Sequence, residues 1–394
     1  MAKEKMQRIH GLDATRAIMM MLGVVLHMGL SYITAPPGNT WPLRDGASSP
    51  IMDMLIFFIH TFRMPVFFVI AGFFSHFLWS YRGAKAFAEN RVKRIVIPFL
   101  VSWIFLYPAV KYSMNYGVTG TFELANGLLN FGLQTPGVLV HLWFLYFLIL
   151  IYAVSLLFIK FEDMLEPLRA KTLQVFDSLI TSPLRVLWFA FPTFFLLLPH
   201  GYLFTSTSIV PEIATFGTYG FFFLFGCLLF ARKEHIKVFD EKVGLNLLLG
   251  FVFLVPNLMA IVKLKSEGID TFALKSIAAL TGSLLTWFFI FGIIGLLNRV
   301  FSRENKVIRY LVDASYWIYL IHLPICLLFA SLLKPVEMSL WFKFFIGVAG
   351  TYFLTIGSYQ LFVRYTIIGE YLHGRKQRPS PSTEAVVVPG SVKA

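Results

Sequence analysis

The sequence predicts an all-α membrane protein, a polytopic bundle of about ten transmembrane helices. Hydrophobic residues make up 57% of the 394 residues and charged residues only 14%, whereas a soluble domain carries about 25% charged residues. The 43 phenylalanines argue against disorder, and two cysteines are too few for a disulfide scaffold. The apolar runs are long, and lipid leaves an unpaired strand's backbone unsatisfied, so each run is predicted to be a helix.

A membrane span needs about 20 mostly apolar residues, and ten runs of the sequence meet or approach that length. The fifth run is the shortest. Residues 1–373 are predicted to form one membrane domain, and residues 374–394 a disordered cytoplasmic tail rich in proline, serine and valine. The ten predicted spans are 12–34, 51–79, 95–113, 138–160, 184–200, 213–231, 244–263, 274–297, 308–333 and 338–366.

The positions of lysine and arginine predict the orientation of these spans. With a cytoplasmic N-terminus, 25 of the 34 basic residues fall in cytoplasmic segments and 7 in outward segments. Cytoplasmic loops normally carry this excess, so both termini are predicted to be cytoplasmic. The net charge of +13 then indicates contact with anionic lipid headgroups and not with nucleic acid.

The first span carries polar residues that are costly in a membrane. Asp13 and Arg16 are three residues apart on one helical face and can pair. Arg16 and His27 are eleven residues apart, so they share a face within about 20° and lie about 16 Å apart along the axis. The alternative is that Arg16 reaches toward the headgroups while His27 is a hydrogen-bonded structural histidine.

The second span places His60 and Arg63 three residues apart on one face, followed by Pro65. Arg63 lies too near the membrane midplane to reach the headgroups easily, which indicates a functional role. The alternative is a structural ion pair next to a proline kink.

Further polar side chains lie on the fourth and ninth spans, where His141 and His322 fall in the outward half. Ser315, Tyr319 and His322 are spaced four and three residues apart and share a stripe of the ninth span. His141 and Trp143 begin the fourth span, although aromatic residues there are often ordinary interfacial residues. Imidazoles from four spans at one depth predict a polar pocket reached from outside. These imidazoles belong to His27, His60, His141 and His322.

A metal centre is the weaker interpretation of these histidines, because no pair spaced four residues apart and no partnered carboxylate supports it. No metal ligand is therefore assigned.

On the cytoplasmic side, Arg91, Lys93 and Arg94 precede the third span, and Arg91 and Arg94 can clamp a phosphate group. The alternative for this cluster is ordinary positive-inside topology.

Several segments together resemble integral-membrane acyltransferase family 3. That family has a basic residue and a histidine in the first span, matched by Arg16 and His27, and an Arg-x-x-Arg motif matched by Arg91 and Arg94. FFVIAGFF is similar to its FFxxSGF segment, with Ala71 where serine is usual, and SYWIYLIHLPI to its late signature. The resemblance covers residues 8–103, 138–150 and 310–327.

The resemblance implies a multi-pass O-acyltransferase of the bacterial inner membrane. The donor would be a cytoplasmic acyl-CoA, which is a co-substrate and not a permanently bound cofactor. Within the family, the segments look closest to enzymes that succinylate a periplasmic glucan, which implies succinyl-CoA. His27 would be the general base, with Arg16 holding the donor and Asp13 paired to it. Arg91, Lys93 and Arg94 would bind the CoA phosphates.

The acceptor would then lie in the outward pocket. Arg63 is also the candidate cation for a succinyl carboxylate. Two alternatives stay open: an O-acetyltransferase of another surface glycan or lipid, and a glycan or lipid transporter. The sequence leaves the oligomeric state and the role of residues 161–300 open. The residues expected around the acceptor are His60, Arg63, His141, Trp143, Tyr319 and His322.

Overall fold

A computed structural model describes residues 9–34, 41, 43–121 and 138–376 of the chain. Helices account for the regular structure of these ranges, which contain an isolated bridge between Val138 and Ser208 but no strand. The predicted all-α class is confirmed. Of the predicted disordered tail, residues 374–376 are described, and Lys376 forms an ion pair with Asp313. Residues 377–394 lie outside the described residues.

Twelve α-helices follow one another along the described ranges, joined by short 3₁₀ and π turns. Each predicted span coincides with one of them or with an adjoining turn, but α2 continues twelve residues beyond the predicted end of the second span at residue 79. In chain order they are α1 His10–Gly29, α2 Pro50–Arg91, α3 Ile97–Thr119, α4 Trp143–Lys160, α5 Glu162–Thr181, α6 Arg185–Leu197, α7 Ile213–Ala231, α8 Val243–Ser266, α9 Phe272–Val300, α10 Lys306–Leu333, α11 Leu340–Ser358 and α12 Ile367–Leu372.

Eight helical stretches of the described residues are long and apolar enough to cross a membrane. One of them, Pro50–Thr119, is 70 residues long and contains both the second and the third predicted spans. At 1.5 Å per residue it far exceeds the thickness of one bilayer, about 30 Å. The fifth predicted span corresponds to α6, a shorter apolar helix of 13 residues. The number of crossings and the side of each terminus therefore stay predictions.

The long stretch is interrupted on its basic side, where the predicted cytoplasmic connection lies. Gly83 has a φ of 79°, a backbone conformation that glycine adopts without steric cost. After α2, a π turn at Val92–Val96 carries the chain into α3. The bend and the turn place the cluster around Arg91 and Arg94 at the junction of two apolar helices.

The helix α5 was not expected from the sequence, where it falls between the fourth and fifth predicted spans. It is rich in charged residues, but Leu173, Phe176 and Ile180 are buried on one face. Asp177 on α5 accepts hydrogen bonds from Arg232 at 2.8 Å and pairs with His235 at 3.0 Å. An amphipathic helix of this kind is stabilised by packing against the bundle, which a search for apolar runs does not detect.

The centre of the bundle is α9, which packs against α8, α6, α2 and α1. In the most apolar part of α9, 83% of the residues are buried, whereas the corresponding share in α8 is 22%. The helix α8 therefore lies at the periphery. A second close contact joins α2 to α7, where Gly72 faces the carbonyl of Phe223 and Gly226 faces the carbonyl of Val69. A Cβ atom at either glycine would overlap with backbone, so this approach requires both glycines. The helix α1 packs against α10 and α2.

Candidate active site

Three helices meet at Gly23, one turn before His27 on α1. A Cβ atom at Gly23 would lie 2.7 Å from Nη1 of Arg63 on α2 and 3.5 Å from Nε2 of His322 on α10. The missing side chain therefore leaves the space into which the guanidinium and the imidazole project. Because residues four apart share a helical face, His27 lies on the same side of α1 as Gly23.

Three of the four predicted histidines come together here. The ring centroids of His27 and His322 are 5.2 Å apart, and those of His141 and His322 are 5.3 Å apart. His141 and His322 are only 5% and 1% exposed. In the part of the chain that the structure describes, no group of three or more His, Cys, Asp or Glu side chains is arranged to hold a metal ion. The cluster is thus a group of imidazoles packed against one another.

Backbone carbonyls fix the tautomers of two of these rings. His322 donates from Nδ1 to the carbonyl of Tyr319 at 2.7 Å, and His141 donates from Nε2 to the carbonyl of Leu320 at 2.9 Å. A carbonyl oxygen can only accept, so in the neutral ring the other nitrogen carries a lone pair. Nε2 of His322, Nδ1 of His141 and Nδ1 of His27 are buried and have no hydrogen-bond partner among the described residues.

Tyr319 holds two of these rings in place. Its carbonyl accepts from His322, and its hydroxyl donates to the carbonyl of His141 at 2.8 Å. Its ring lies 5.7 Å from that of His141. The predicted stripe on α10 therefore joins His322 to the start of α4.

Arg63 contributes an uncompensated cation beside the imidazoles. Its Nη2 lies 3.5 Å from the sulfur of Met64, and its buried Nε has no partner among the described residues. No ion pair between Arg63 and a carboxylate is found in the described ranges, so the structural ion pair considered as an alternative is not found there. A guanidinium in this position can donate hydrogen bonds to a negative oxygen that develops during a reaction.

Trp41 covers His27, a contact that sequence reasoning missed. The two rings are 5.8 Å apart and nearly parallel, at 16°. The indole nitrogen of Trp41 donates to the hydroxyl of Ser31 at 3.2 Å. Trp41 lies between two spans and belongs to no periodic pattern, so no sequence signal indicated this contact. Gly23 could have been found, since it is four residues before His27.

Two residues predicted for the acceptor pocket are not among the three clustered rings. Trp143 packs against aromatic side chains, with ring centroids 5.2 Å from Tyr219 and 6.0 Å from Phe147. His60 lines a cavity whose lining includes neither Arg63 nor the other three histidines. His60 thus faces this cavity, while Arg63, three residues later on α2, faces Gly23.

On the basic side, Asp13 and Arg16 pair at 3.8 Å, in agreement with their spacing. The Arg16 guanidinium also lies over the ring of Phe74, 5.6 Å from its centroid. Arg16 is therefore fixed against α2 on the face that leads toward His27.

Arg94 lies in a group of arginines drawn from α1, α2 and the π turn. The charges of Arg91, Arg16 and Arg82 all act on Arg94. Arg91 donates to the hydroxyl of Tyr152 at 3.3 Å. Arg82 was not among the residues predicted to bind phosphate, and its place in the group is a result of folding. We call Arg16, Arg82, Arg91 and Arg94 the arginine cluster.

Lys93 is directed elsewhere, because its ammonium forms an ion pair with Glu370 on α12 at 3.1 Å. It also lies 4.9 Å from the centroid of the Tyr371 ring. Of the three basic residues predicted to bind phosphate, Arg91 and Arg94 thus belong to the arginine cluster, while Lys93 attaches the C-terminal helix.

Comparison with known proteins decides the family. The model of a family described as "Acyltransferase domain" matches residues 9–360. The chain belongs to the acyltransferase 3 family. It is 28% identical to the Glucans biosynthesis protein C of Escherichia coli O139:H28 over 393 residues, which cover 94% of this chain and 95% of that relative. It is also 28% identical over 394 residues to the protein of the same name from strain K12, with the same coverage. No solved structure matches the chain significantly.

Family membership makes this chain a membrane acyltransferase. The family match runs from α1 through the whole of α11, which includes every residue of the histidine site. The relatives match almost end to end, so the middle of the chain, which carried no motif, is also part of the common protein.

Proposed function

We propose that this chain is an O-acyltransferase of a bacterial inner membrane, which moves a succinyl group from cytoplasmic succinyl-CoA to a hydroxyl of a periplasmic glucan. The name of the relatives supports a glucan as the acceptor. The observation that carries the chemistry is the convergence of His27 and His322, 5.2 Å apart, with the uncompensated guanidinium of Arg63. Lone pairs and a cation are the groups that acyl transfer from a thioester requires.

In the proposed reaction, a sugar hydroxyl attacks the thioester carbonyl carbon while His27 removes its proton. The C–O bond forms and the C–S bond breaks. The proton then passes from His27 to the departing CoA thiolate, so that His27 returns to its neutral form. Arg63 donates to the carbonyl oxygen as negative charge develops there, since its guanidinium has no carboxylate partner in the described chain.

His322 and His141 would orient the acceptor. Each presents a lone pair fixed by a carbonyl hydrogen bond, and sugar hydroxyls are donors that such lone pairs accept. Trp41, stacked on His27, adds an aromatic face of the kind that packs against a sugar ring. The site thus offers acceptors to the glycan and a donor to the thioester.

The arginine cluster would bind the donor at the other end of α1. CoA carries several phosphate groups, and guanidinium groups bind phosphate in bidentate geometry. Arg16 and His27 are about 16 Å apart along α1, a distance that the extended pantetheine arm of CoA can bridge. The donor would therefore enter from the cytoplasm and present its thioester at His27.

The test uses purified protein in detergent with succinyl-CoA and a glucan acceptor. Release of CoA thiol and an increase in glucan mass with a new carboxylate are expected, and His27→Ala should abolish both. His76→Ala is the matched control, because His76 is another buried histidine on a span, bonded to the carbonyl of Cys227 at 2.8 Å and remote from the site. Wild-type turnover by His27→Ala would contradict the proposal, as would solute transport without covalent change.

A further inference from the structure

A cavity with mainly apolar walls and several polar side chains lies between α2, α8, α9 and the segment that follows α6, beside the histidine site. The cavity is lined on its α2 side by His60 and Thr61 and elsewhere by Tyr202, Asn257, Lys265 and Thr286. Thr286 donates to the carbonyl of Thr61 at 3.2 Å, which fixes the wall between α2 and α9. Polar groups grouped in a bundle of apolar helices indicate a ligand site.

The charge of this cavity is positive. Among the described residues that line it, Lys265 is the only one with a formal charge, and no carboxylate is part of this lining. The Lys265 ammonium lies 4.1 Å from the centroid of the Tyr202 ring, which holds it at the cavity. Burial and the negative charge of Glu212 raise the pKa of Tyr202, so its hydroxyl stays a donor at neutral pH. The cavity is thus suited to an anionic group.

The position of the cavity relative to Arg63 matches the length of a dicarboxylic acyl group. His60 precedes Arg63 by three residues, which places it about 4.5 Å nearer the outward end of α2. The two carboxyl carbons of a succinyl group are joined by three C–C bonds of about 1.5 Å and are therefore about 4 Å apart. With the thioester carbonyl at Arg63, the far carboxylate would reach the level of His60.

We propose that this cavity binds the free carboxylate of the transferred dicarboxylic acyl group, with Lys265 as its counter-ion and His60 beside it. This inference rests on the proposed function, since it concerns the donor of the same reaction. Because the CoA portion lies toward the arginine cluster, the far end of the acyl group points away from it, toward Lys265. Arg63 then remains available for the thioester oxygen. A carboxylate left in the bundle without a cation would be strongly disfavoured.

The test compares two donors of equal chain length, succinyl-CoA and butyryl-CoA, which differ in the terminal charge. Unmodified protein should prefer succinyl-CoA by at least about tenfold in kcat/KM, because a hydrogen bond to a charged group contributes about 1.5–3 kcal/mol. Lys265→Gln should lower kcat/KM for succinyl-CoA by at least about tenfold and change that for butyryl-CoA less than about twofold. Lys265→Arg, which keeps the charge, should retain most of the preference.

Lys263→Gln is the matched control, because Lys263, like Lys265, is an exposed lysine on the last turns of the same helix but does not line the cavity. It should change neither donor. An equal loss of kcat/KM with both donors in Lys265→Gln, or no change with either donor, would overturn the proposal that this cavity binds the carboxylate. If Lys265→Gln does not fold, the absence of a succinyl preference in unmodified protein overturns it equally. Failure of unmodified protein to consume either donor would instead reject the proposed function itself.

Discussion

His322 donates a hydrogen bond of 2.7 Å from Nδ1 to the carbonyl oxygen of Tyr319, three residues earlier on the same helix. The bond determines which nitrogen of His322 carries the lone pair and directs Nε2 toward Gly23 and Arg63. His76 makes a similar bond to the carbonyl of Cys227, but its ring packs against aromatic side chains outside the imidazole cluster. Two histidines with similar carbonyl hydrogen bonds therefore differ in what surrounds the rest of the ring.

His322→Asn should lower kcat by about 10²-fold or more, because the lone pair that orients the acceptor is lost next to the reacting hydroxyl. His76→Asn breaks a similar carbonyl hydrogen bond of 2.8 Å and should retain wild-type kcat. Steady-state rates of CoA release with both variants in the same detergent provide the measurement. Equal losses in the two variants would show that the effect is structural.

Gly23→Ala should inactivate the protein without removing any reactive group. The new methyl group would lie 2.7 Å from Nη1 of Arg63, so the guanidinium must move. Displacement of a group by about 1 Å at a reacting centre can cost about 10²-fold in rate. The control is Gly357→Ala on α11, where a Cβ atom meets nothing within 4 Å. Full activity of Gly23→Ala in the CoA-release assay would contradict the proposed role of Arg63 at the thioester oxygen.

Arg94→Gln should raise the KM for acyl-CoA about tenfold, since one charge-assisted contact to phosphate is lost. Lys93→Gln should change this KM much less. Its pair with Glu370 involves side chains that are 44% and 42% exposed, and such pairs contribute about 0–1 kcal/mol. With an acyl-pantetheine donor, which lacks the CoA phosphates, Arg94→Gln and unmodified protein should behave alike. If Arg94→Gln also raises the KM for acyl-pantetheine, Arg94 does not act by binding the CoA phosphates.

Gly72→Ala and Gly226→Ala should both lower the melting temperature in detergent. Each methyl group would overlap with a backbone carbonyl of the facing helix, and overpacking of this kind costs about 1–3 kcal/mol. Gly220→Ala lies on the same helix as Gly226 and meets nothing within 4 Å. Because alanine favours a helix interior by about 0.5–1 kcal/mol over glycine, that control should melt at the same temperature or slightly higher. Unchanged melting of Gly72→Ala would contradict the close approach of α2 and α7.

The sequence alone determined the helical class and the positions of the apolar helices, although α2 extends twelve residues beyond its predicted end. Both follow from local hydropathy, because a span in lipid must satisfy its own backbone and needs a minimum length. The arginine and histidine of α1 could also be recognised, since their shared face depends only on helix geometry. The amphipathic helix α5 escaped this reasoning because its stability comes from burial of a few side chains against neighbouring helices.

Only the tertiary structure decided which polar residues meet. His141 and His322 are far apart in the chain, and hydrophobic periodicity says nothing about which faces of α4 and α10 pack together. Folding brought these two to His27, left His60 in a separate cavity with Lys265, and directed Lys93 to Glu370. Trp41 reached His27 from a connecting segment without any periodic pattern. Local sequence sets the composition of each helix face, while contacts between faces depend on side-chain fit across the whole bundle.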